Sequence, residues 1–235
     1  MEPKPRPSYK NLKTMILIEL DLIEYSQCLE IQKRIVRRKI LEGGPDVLLI
    51  LEHPPTVTLG VRGKASDLLI SPEEMSERGV AVHHIDRGGE ATFHGPGQVV
   101  CYPIVDLKAL GVSARRYVQG LEETIINTLA DFDVGGVSQP KKVGVWTSSL
   151  DKIASIGVRI QRRITSHGFS LNVDLQMDPC ELIVSCGMPD ARMVSLNQLV
   201  PRPVTTDSVR NAVARAFAEV FGVNLEQGSL EEVMA

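Results

Sequence analysis

Five consecutive apolar residues, Val47 to Leu51, lead through Glu52-His53 into Pro54-Pro55. A run without alternation suits a strand buried on both faces, ending here in a loop. Met15 to Leu20 reads as an earlier strand, and Val99 to Val105, Val143 to Thr147, Ile153 to Ile160 and Phe169 to Val173 as later ones. Between Ile153 and Ile160, Ile156, Val158 and Ile160 alternate with Gly157 and Arg159, the period of a half-buried strand. Ser148-Ser149-Leu150-Asp151 is the turn before it.

Helices stand between some of these strands. Cys28, Ile31, Ile35, Ile40 and Leu41 recur at roughly helical spacing, and Gly43-Gly44 offers a left-handed stop. Ser71-Pro72-Glu73-Glu74 combines an N-cap, a proline and an acidic first turn, so a short helix follows. Tyr117, Leu121, Ile125, Leu129 and Phe132 form a stripe behind Ser113. Val209, Val213, Phe217 and Val220 form another, capped by Asp207 or Ser208 and closed by Gly222. Strands outnumber helices without alternating regularly with them. The expected class is α+β, a mixed or antiparallel sheet with packed helices.

A length of 235 residues fits one domain, with residues 1–13 expected as a flexible arm and 225–235 as a flexible tail. A net charge of −3 and scarce aromatics, at 4%, argue against nucleic acid as a partner. Cys28, Cys101, Cys180 and Cys186 contain no C-x-x-C pair, so free thiols in a reducing compartment are expected, with no metal. The apolar run Met15 to Ile18 is too short for a signal segment, and no stretch approaches the ~20 residues that span a bilayer. A cytoplasmic protein is expected.

Three segments hold more Gly, His and small polar residues than packing needs. Asp86 to Gln98 contains four glycines, a proline, Arg87 and His94. It reads either as a long surface loop or as backbone brought close to a ligand, and it is not a phosphate fingerprint. Lys152 to Gly157 opens a strand, where a lysine is usually solvated, and Thr165 to Asn172 follows with His167, a residue common in turns. In Ile183-Val184-Ser185-Cys186-Gly187-Met188, Gly187 would leave backbone N–H groups accessible beside an exposed sulfur. A cysteine is, however, more often a small core hydrophobe. Cys180 sits between Pro179 and Glu181 with Asp178 nearby, and those carboxylates would raise a thiol pKa.

Together these stretches resemble the lipoyl(octanoyl) transferases, in family order from about Val47 to Leu196. The resemblance rests on Glu52-His53-Pro54-Pro55 with Thr58-Leu59-Gly60, on Asp86 to Leu107, on Gly144-Val145-Trp146, on Lys152 to Val158, on Thr165 to Val173 and on Ser185-Cys186-Gly187. The Arg-Gly-Gly-x-x-Thr-x-His-Gly-Pro-Gly-Gln run is its most specific part. The resemblance implies a biotin/lipoate protein ligase-like fold and transfer of octanoate, without a cofactor, from acyl carrier protein to lipoyl domains of 2-oxoacid dehydrogenase complexes and the glycine cleavage H protein. The rival readings are an ATP-dependent lipoate–protein ligase, which would not need Cys186, and a non-catalytic carrier-binding module in which the cysteine is merely packed. The resemblance places substrate binding on Arg87, Gly88, Gly89, Glu90, Ala91, Thr92, Phe93 and His94, on Ser155, Ile156 and Gly157, and on Gly168, Phe169 and Ser170. The acyl-thioester cysteine falls on Cys186 and the activating lysine on Lys152. The family commonly has Pro before its nucleophile, where this chain has Ser185.

A free thiol is only a few per cent ionised at neutral pH, so Lys152 would supply the cation that activates it. Backbone N–H groups near Gly187, helped by His94, would hold the oxyanion. Two basic clusters could steer an acidic carrier: Lys33, Arg34, Arg37, Arg38 and Lys39, or Arg159, Arg162 and Arg163. The second lies nearer in sequence to the supposed active-site strands.

Overall fold

The computed structural model describes residues 12–175, 182–184 and 191–234. Its centre is the apolar run Val47 to Leu51: β2 (Asp46–Glu52) is buried along nearly its whole length. It pairs in parallel with β1 (Lys13–Leu22) and antiparallel with β6 (Gln98–Ile104). The main sheet runs β12-β1-β2-β6-β10-β9-β8-β7. Its later strands are β7 (Val137–Gln139), β8 (Lys142–Trp146), β9 (Asp151–Gln161), β10 (Ile164–Asn172) and β12 (Val223–Gln227). The short β11 (Arg192–Met193) pairs in parallel with the start of β9.

Helices α3 (Ala114–Ala130) and α4 (Thr206–Phe221) cover one face, burying Leu121, Ile125, Val213 and Phe217 against Leu48, Ile50, Phe169 and Leu171. Helix α1 (Tyr25–Leu41), with α5 (Leu230–Met234), covers the other over Val47, Leu49, Leu51 and Val100. Both faces of β2 are thus dry, as its unbroken apolar run requires. The Ser113 cap forms, its hydroxyl accepting from Arg116 N at 3.2 Å. At α4 the cap is Thr205, whose hydroxyl accepts from Ser208 N at 3.2 Å, and not Asp207 or Ser208.

A second sheet, β4-β3-β5, lies apart from the first. It joins β3 (Thr56–Leu59), β4 (Ala81–His84) and β5 (Ala91–His94), with α2 (Pro72–Glu77) packed on it through Met75. The Gly-rich segment is therefore not loop throughout. Ala91 to His94 is a buried strand paired antiparallel with Thr56 to Leu59. The expected tail is also corrected: its first residues end β12, which pairs with β1, and Val233 of α5 is buried. Chain-distant pairing holds both in place, which no local pattern reveals.

The β9–β10 hairpin closes through two residues, since Gln161 faces Ile164. Its central residues, Arg162 at φ 49° and Arg163 at φ 71°, are both left-handed. Two-residue hairpins of this hand favour Asn-Gly, and an L-residue in that region costs about 1–2 kcal/mol.

Candidate active site

Strand β9 carries Lys152 between two backbone neighbours, β8 on one side and β11 on the other. Its side chain is fully buried, against the sequence expectation of a solvated lysine. The ammonium lies 5.5 Å from the centroid of the Trp146 ring, within cation–π range. Gly144 makes room for it. Its φ is 127°, and a Cβ there would lie 2.8 Å from Lys152 Cε and 2.6 Å from the Ala154 carbonyl oxygen. The Gly144-Val145-Trp146 motif therefore builds the lysine's compartment.

Cys186 and Cys180 lie outside the described residues. Of the described residues that flank Cys186 in sequence, Val184 N donates to Asp67 O at 2.9 Å beside the small sheet, and Met193 stands opposite Lys152. The other two thiols are poor nucleophiles. Cys28 is buried, with its pKa pushed up to about 12, and burial also raises that of Cys101 well above the usual thiol value.

The Gly-rich run crosses β9 where β8 has ended, and Gly88 N donates to Val158 O at 2.9 Å. Gly157 permits this approach, because a Cβ there would meet Gly88 O at 2.8 Å and Arg87 Cδ at 2.9 Å. Arg87 is buried and binds the run to β3. Its Nη2 donates to Thr58 O at 2.7 Å and Glu90 O at 2.9 Å, and its Nη1 to Gly88 O at 3.0 Å.

A small cavity gathers Arg87, Thr92 and His94 with Ser155, Gly157, Gly168, Phe169 and Ser170, members of all three expected binding segments. Tyr25, Tyr102 and His167 complete its wall. Tyr25 and Tyr102 are not among the expected binding residues, since they come from α1 and β6, and His167, expected as a turn residue, sits on β10 beside Gly168. Its free volume is about 20 Å³, enough for about one water. It adjoins a second cavity of about 430 Å³, sharing Arg87, Thr92 and Gly157 with it. Gly88, Gly89, Glu90 and Ile156 line that second space, together with Val118, Val143 and Val158. Ala91 and Phe93 instead pack into the small sheet's core.

The His94 tautomer follows from its partners. Gln98 Nε2 donates to Phe93 O at 3.1 Å and Asn172 Oδ1 at 2.9 Å, so Gln98 Oε1 is the acceptor facing His94 Nδ1 at 2.8 Å. Nδ1 therefore bears the proton and Nε2 is bare. Burial holds the pKa well below the usual value, with His53 and Arg87 adding to the shift, so the ring is neutral. A neutral His94 of this tautomer accepts a hydrogen bond at Nε2 and cannot donate one to an oxyanion, which corrects the role expected for it.

His53 is structural. Its Nδ1 donates to Ile23 O at 2.7 Å, and its Nε2 accepts from the Tyr102 hydroxyl at 3.0 Å. Burial lowers its pKa to about 4. Glu52 clamps the turn after β5, accepting from Gly97 N at 2.8 Å and from Arg210 at 3.1 Å. His167, at φ 55°, has Nε2 3.1 Å from Asp86 Oδ1, and burial brings its pKa to about 3. Its Nδ1 is buried without a partner among the described residues.

A mixed sheet with helices on both faces and a small side sheet beside it make up a lipoate and biotin protein ligase-like fold. Residues 24–218 match the lipoyl protein ligase A/B catalytic domain. An octanoyltransferase of Syntrophobacter fumaroxidans is 36% identical over 95% of this chain and 98% of its own length. One from Gloeobacter violaceus is 42% identical over 94% and 96%. The chain belongs to the lipoyl protein ligase A/B catalytic family, among its octanoyltransferases, and is an acyltransferase. In fold it is similar to Ta0514, a putative lipoate protein ligase from T. acidophilum with bound lipoic acid. The TM-score is 0.74 at 16% identity, covering 94% of this chain and 93% of that one. A lipoate-protein ligase A bound with ATP also gives 0.74 at 16% identity, covering 95% and 93%.

Proposed function

We propose that this acyltransferase moves an octanoyl group from octanoyl-acyl carrier protein to a lysine of a lipoyl domain in the cytoplasm, through an octanoyl-Cys186 thioester. The reading is carried by the meeting of the three binding segments around one cavity, on the strand that bears the buried Lys152. The placement of the cavities, the compartment around Lys152 and the inertness of Cys28 and Cys101 all support it.

The chemistry runs in two steps. The Cys186 thiolate, favoured by the Lys152 ammonium, attacks the donor thioester; the carrier thiol leaves with a proton. The acceptor lysine amine then attacks octanoyl-Cys186, loses a proton and forms the amide as Cys186 is released. Thioester to amide is downhill, so the transfer needs no nucleotide. The tail lies in the 430 Å³ cavity, which falls in the range of small-ligand pockets, about 300–1,000 Å³. Contact with Val118, Ile156 and Val158 is worth ~0.8 kcal/mol per buried CH₂. His94, with a bare Nε2, is an acceptor available to the incoming amine.

The test is intact mass after incubation with octanoyl-acyl carrier protein and no ATP. A single octanoyl adduct that disappears when apo lipoyl domain is added is the expected result. No adduct, with transfer appearing only when octanoate and ATP are supplied, would identify a ligase instead.

A further inference from the structure

Members of both basic clusters face one groove. Helix α1 and the β9–β10 hairpin enclose a groove of about 500 Å³. Lys33 and Arg37 line it from the helix, and Arg159 and Arg162 from the hairpin. Its one lining carboxylate, Asp86, is already engaged by Arg159 and faces His167. Lys33 pairs only with Glu30, outside the groove, and among the described residues Arg37 and Arg162 have no carboxylate partner. Leu29, Val36, Ile40 and Leu41 add an apolar side, and Leu41 is 64% exposed. A chain with net charge −3 thus places four cations along an apolar strip, two of them, Arg37 and Arg162, without a carboxylate partner among the described residues. Arg162 is held there in a left-handed turn that Asn or Gly would occupy more easily.

We propose that this groove docks the acyl donor through an acidic, amphipathic helix of the carrier protein. The inference rests on the carrier-to-lysine reading above. Charge complementarity selects an acidic partner, and the apolar strip selects a helix face in preference to a small anion. Geometry selects the donor over the acceptor. From Lys152 to Arg159 along β9 is about 23 Å, at about 3.3 Å per residue. An acceptor lysine reaches only the length of its own four-carbon stem, so its domain must sit close to Lys152. A carrier delivers its acyl group on a long prosthetic arm and can dock at that distance. The groove also touches the substrate cavity, since His167 lines both.

The test compares Arg37→Glu, Arg162→Glu and the double variant with the unmodified protein. Three substrates are varied in turn: octanoyl-acyl carrier protein, apo lipoyl domain and octanoyl-pantetheine, a thioester with no protein attached. The KM for octanoyl-acyl carrier protein should rise about tenfold in each single variant at low salt, and further in the double. The rise should shrink at physiological salt, where exposed charges are screened over ~8 Å. Turnover of octanoyl-pantetheine and the KM for the lipoyl domain should stay within about twofold. An increase in the lipoyl-domain KM instead would assign the groove to the acceptor. Equal losses with octanoyl-pantetheine would place the arginines in the active site, and an unchanged carrier KM would leave the groove without a donor. Each of these overturns the proposal while transfer itself persists. Failure of the unmodified protein to form any octanoyl adduct would overturn the transfer reading, and the docking inference with it.

Discussion

Replacing Gly144 by Ala should damage both the stability and the chemistry of this protein, and the two contributions can be separated. At φ 127° an L-residue is strained, and sparsely populated backbone regions cost of order 1–3 kcal/mol. The added methyl would also sit 2.6 Å from Ala154 O and 2.8 Å from Lys152 Cε. Overpacking of this kind costs about 1–3 kcal/mol, because β9 is held on both sides and cannot simply retreat. The total is about 2–6 kcal/mol, comparable with the ~5–15 kcal/mol that keeps a domain folded. Gly44→Ala is the control. Its φ is 124° with nothing within 4 Å, so it carries comparable backbone strain alone. Urea denaturation of both variants, followed by Trp146 fluorescence, gives the difference due to crowding at Lys152. Gly144→Ala should lose at least about 1 kcal/mol more than Gly44→Ala, and its folded fraction should transfer octanoate slowly because the lysine is displaced. Equal losses would refute the idea that Gly144 exists to seat Lys152.

Cys186→Ser should abolish the octanoyl adduct, whereas Cys180→Ser, Cys101→Ser and Cys28→Ser should retain most transfer; a dead, folded Cys180→Ser protein would move the nucleophile to Cys180. Lys152→Met should slow alkylation of Cys186 by iodoacetamide at pH 7, and an unchanged rate in a folded variant would remove the lysine from thiol activation. Acid should destabilise the fold through His53 and His167. Their folded pKa values, about 4 and about 3, lie below the unfolded value near 6.5, so the unfolded chain takes up protons first. Their contribution is complete above about pH 6.5 and is lost towards pH 4 and 3, at about 1.4 kcal/mol per pH unit for each ring. Denaturation midpoints at pH 7 and pH 5 measure this, and coincident curves would contradict it. His94→Gln should retain an acceptor oxygen and part of the transfer rate, while His94→Phe should lose more; identical rates would show that the bare Nε2 is unused.

What could be read from sequence was what local patterning determines. The unbroken run at Val47 to Leu51, the alternation around Ile156 to Ile160 and the stripes of α3 and α4 each report burial by nearby residues, and those elements stand where expected. The small sheet escaped because β3 and β5 are four residues each, bordered by Pro or Gly, and gain their hydrogen bonds from one another across the chain. Most of the residues that motif order marked as candidates for binding line two adjoining cavities. Motif order could not show which way each side chain works. The proton on His94 is set by Gln98 and, through it, by Asn172, a residue 74 positions further along the chain from Gln98. Lys152 looked like an exposed strand start because its cover comes from Trp146, Gly144 and β11, none of them adjacent to it in sequence.

The pairing of β1 with β12 has a consequence for how the chain is made. Lys13 is among the first described residues to leave the ribosome, and its partner Val223 is among the last. Throughout synthesis, β1 can settle against β2 while its other edge stays open, with the apolar side chains of Ile16 and Ile18 beside it. An open edge of that kind is a template for pairing with another chain. A ribosome stalled before residue 223, or a protease that cuts there, would therefore leave β1 with a sticky side. Solubility during expression should depend on Val223 to Gln227 far more than their distance from Lys152 suggests.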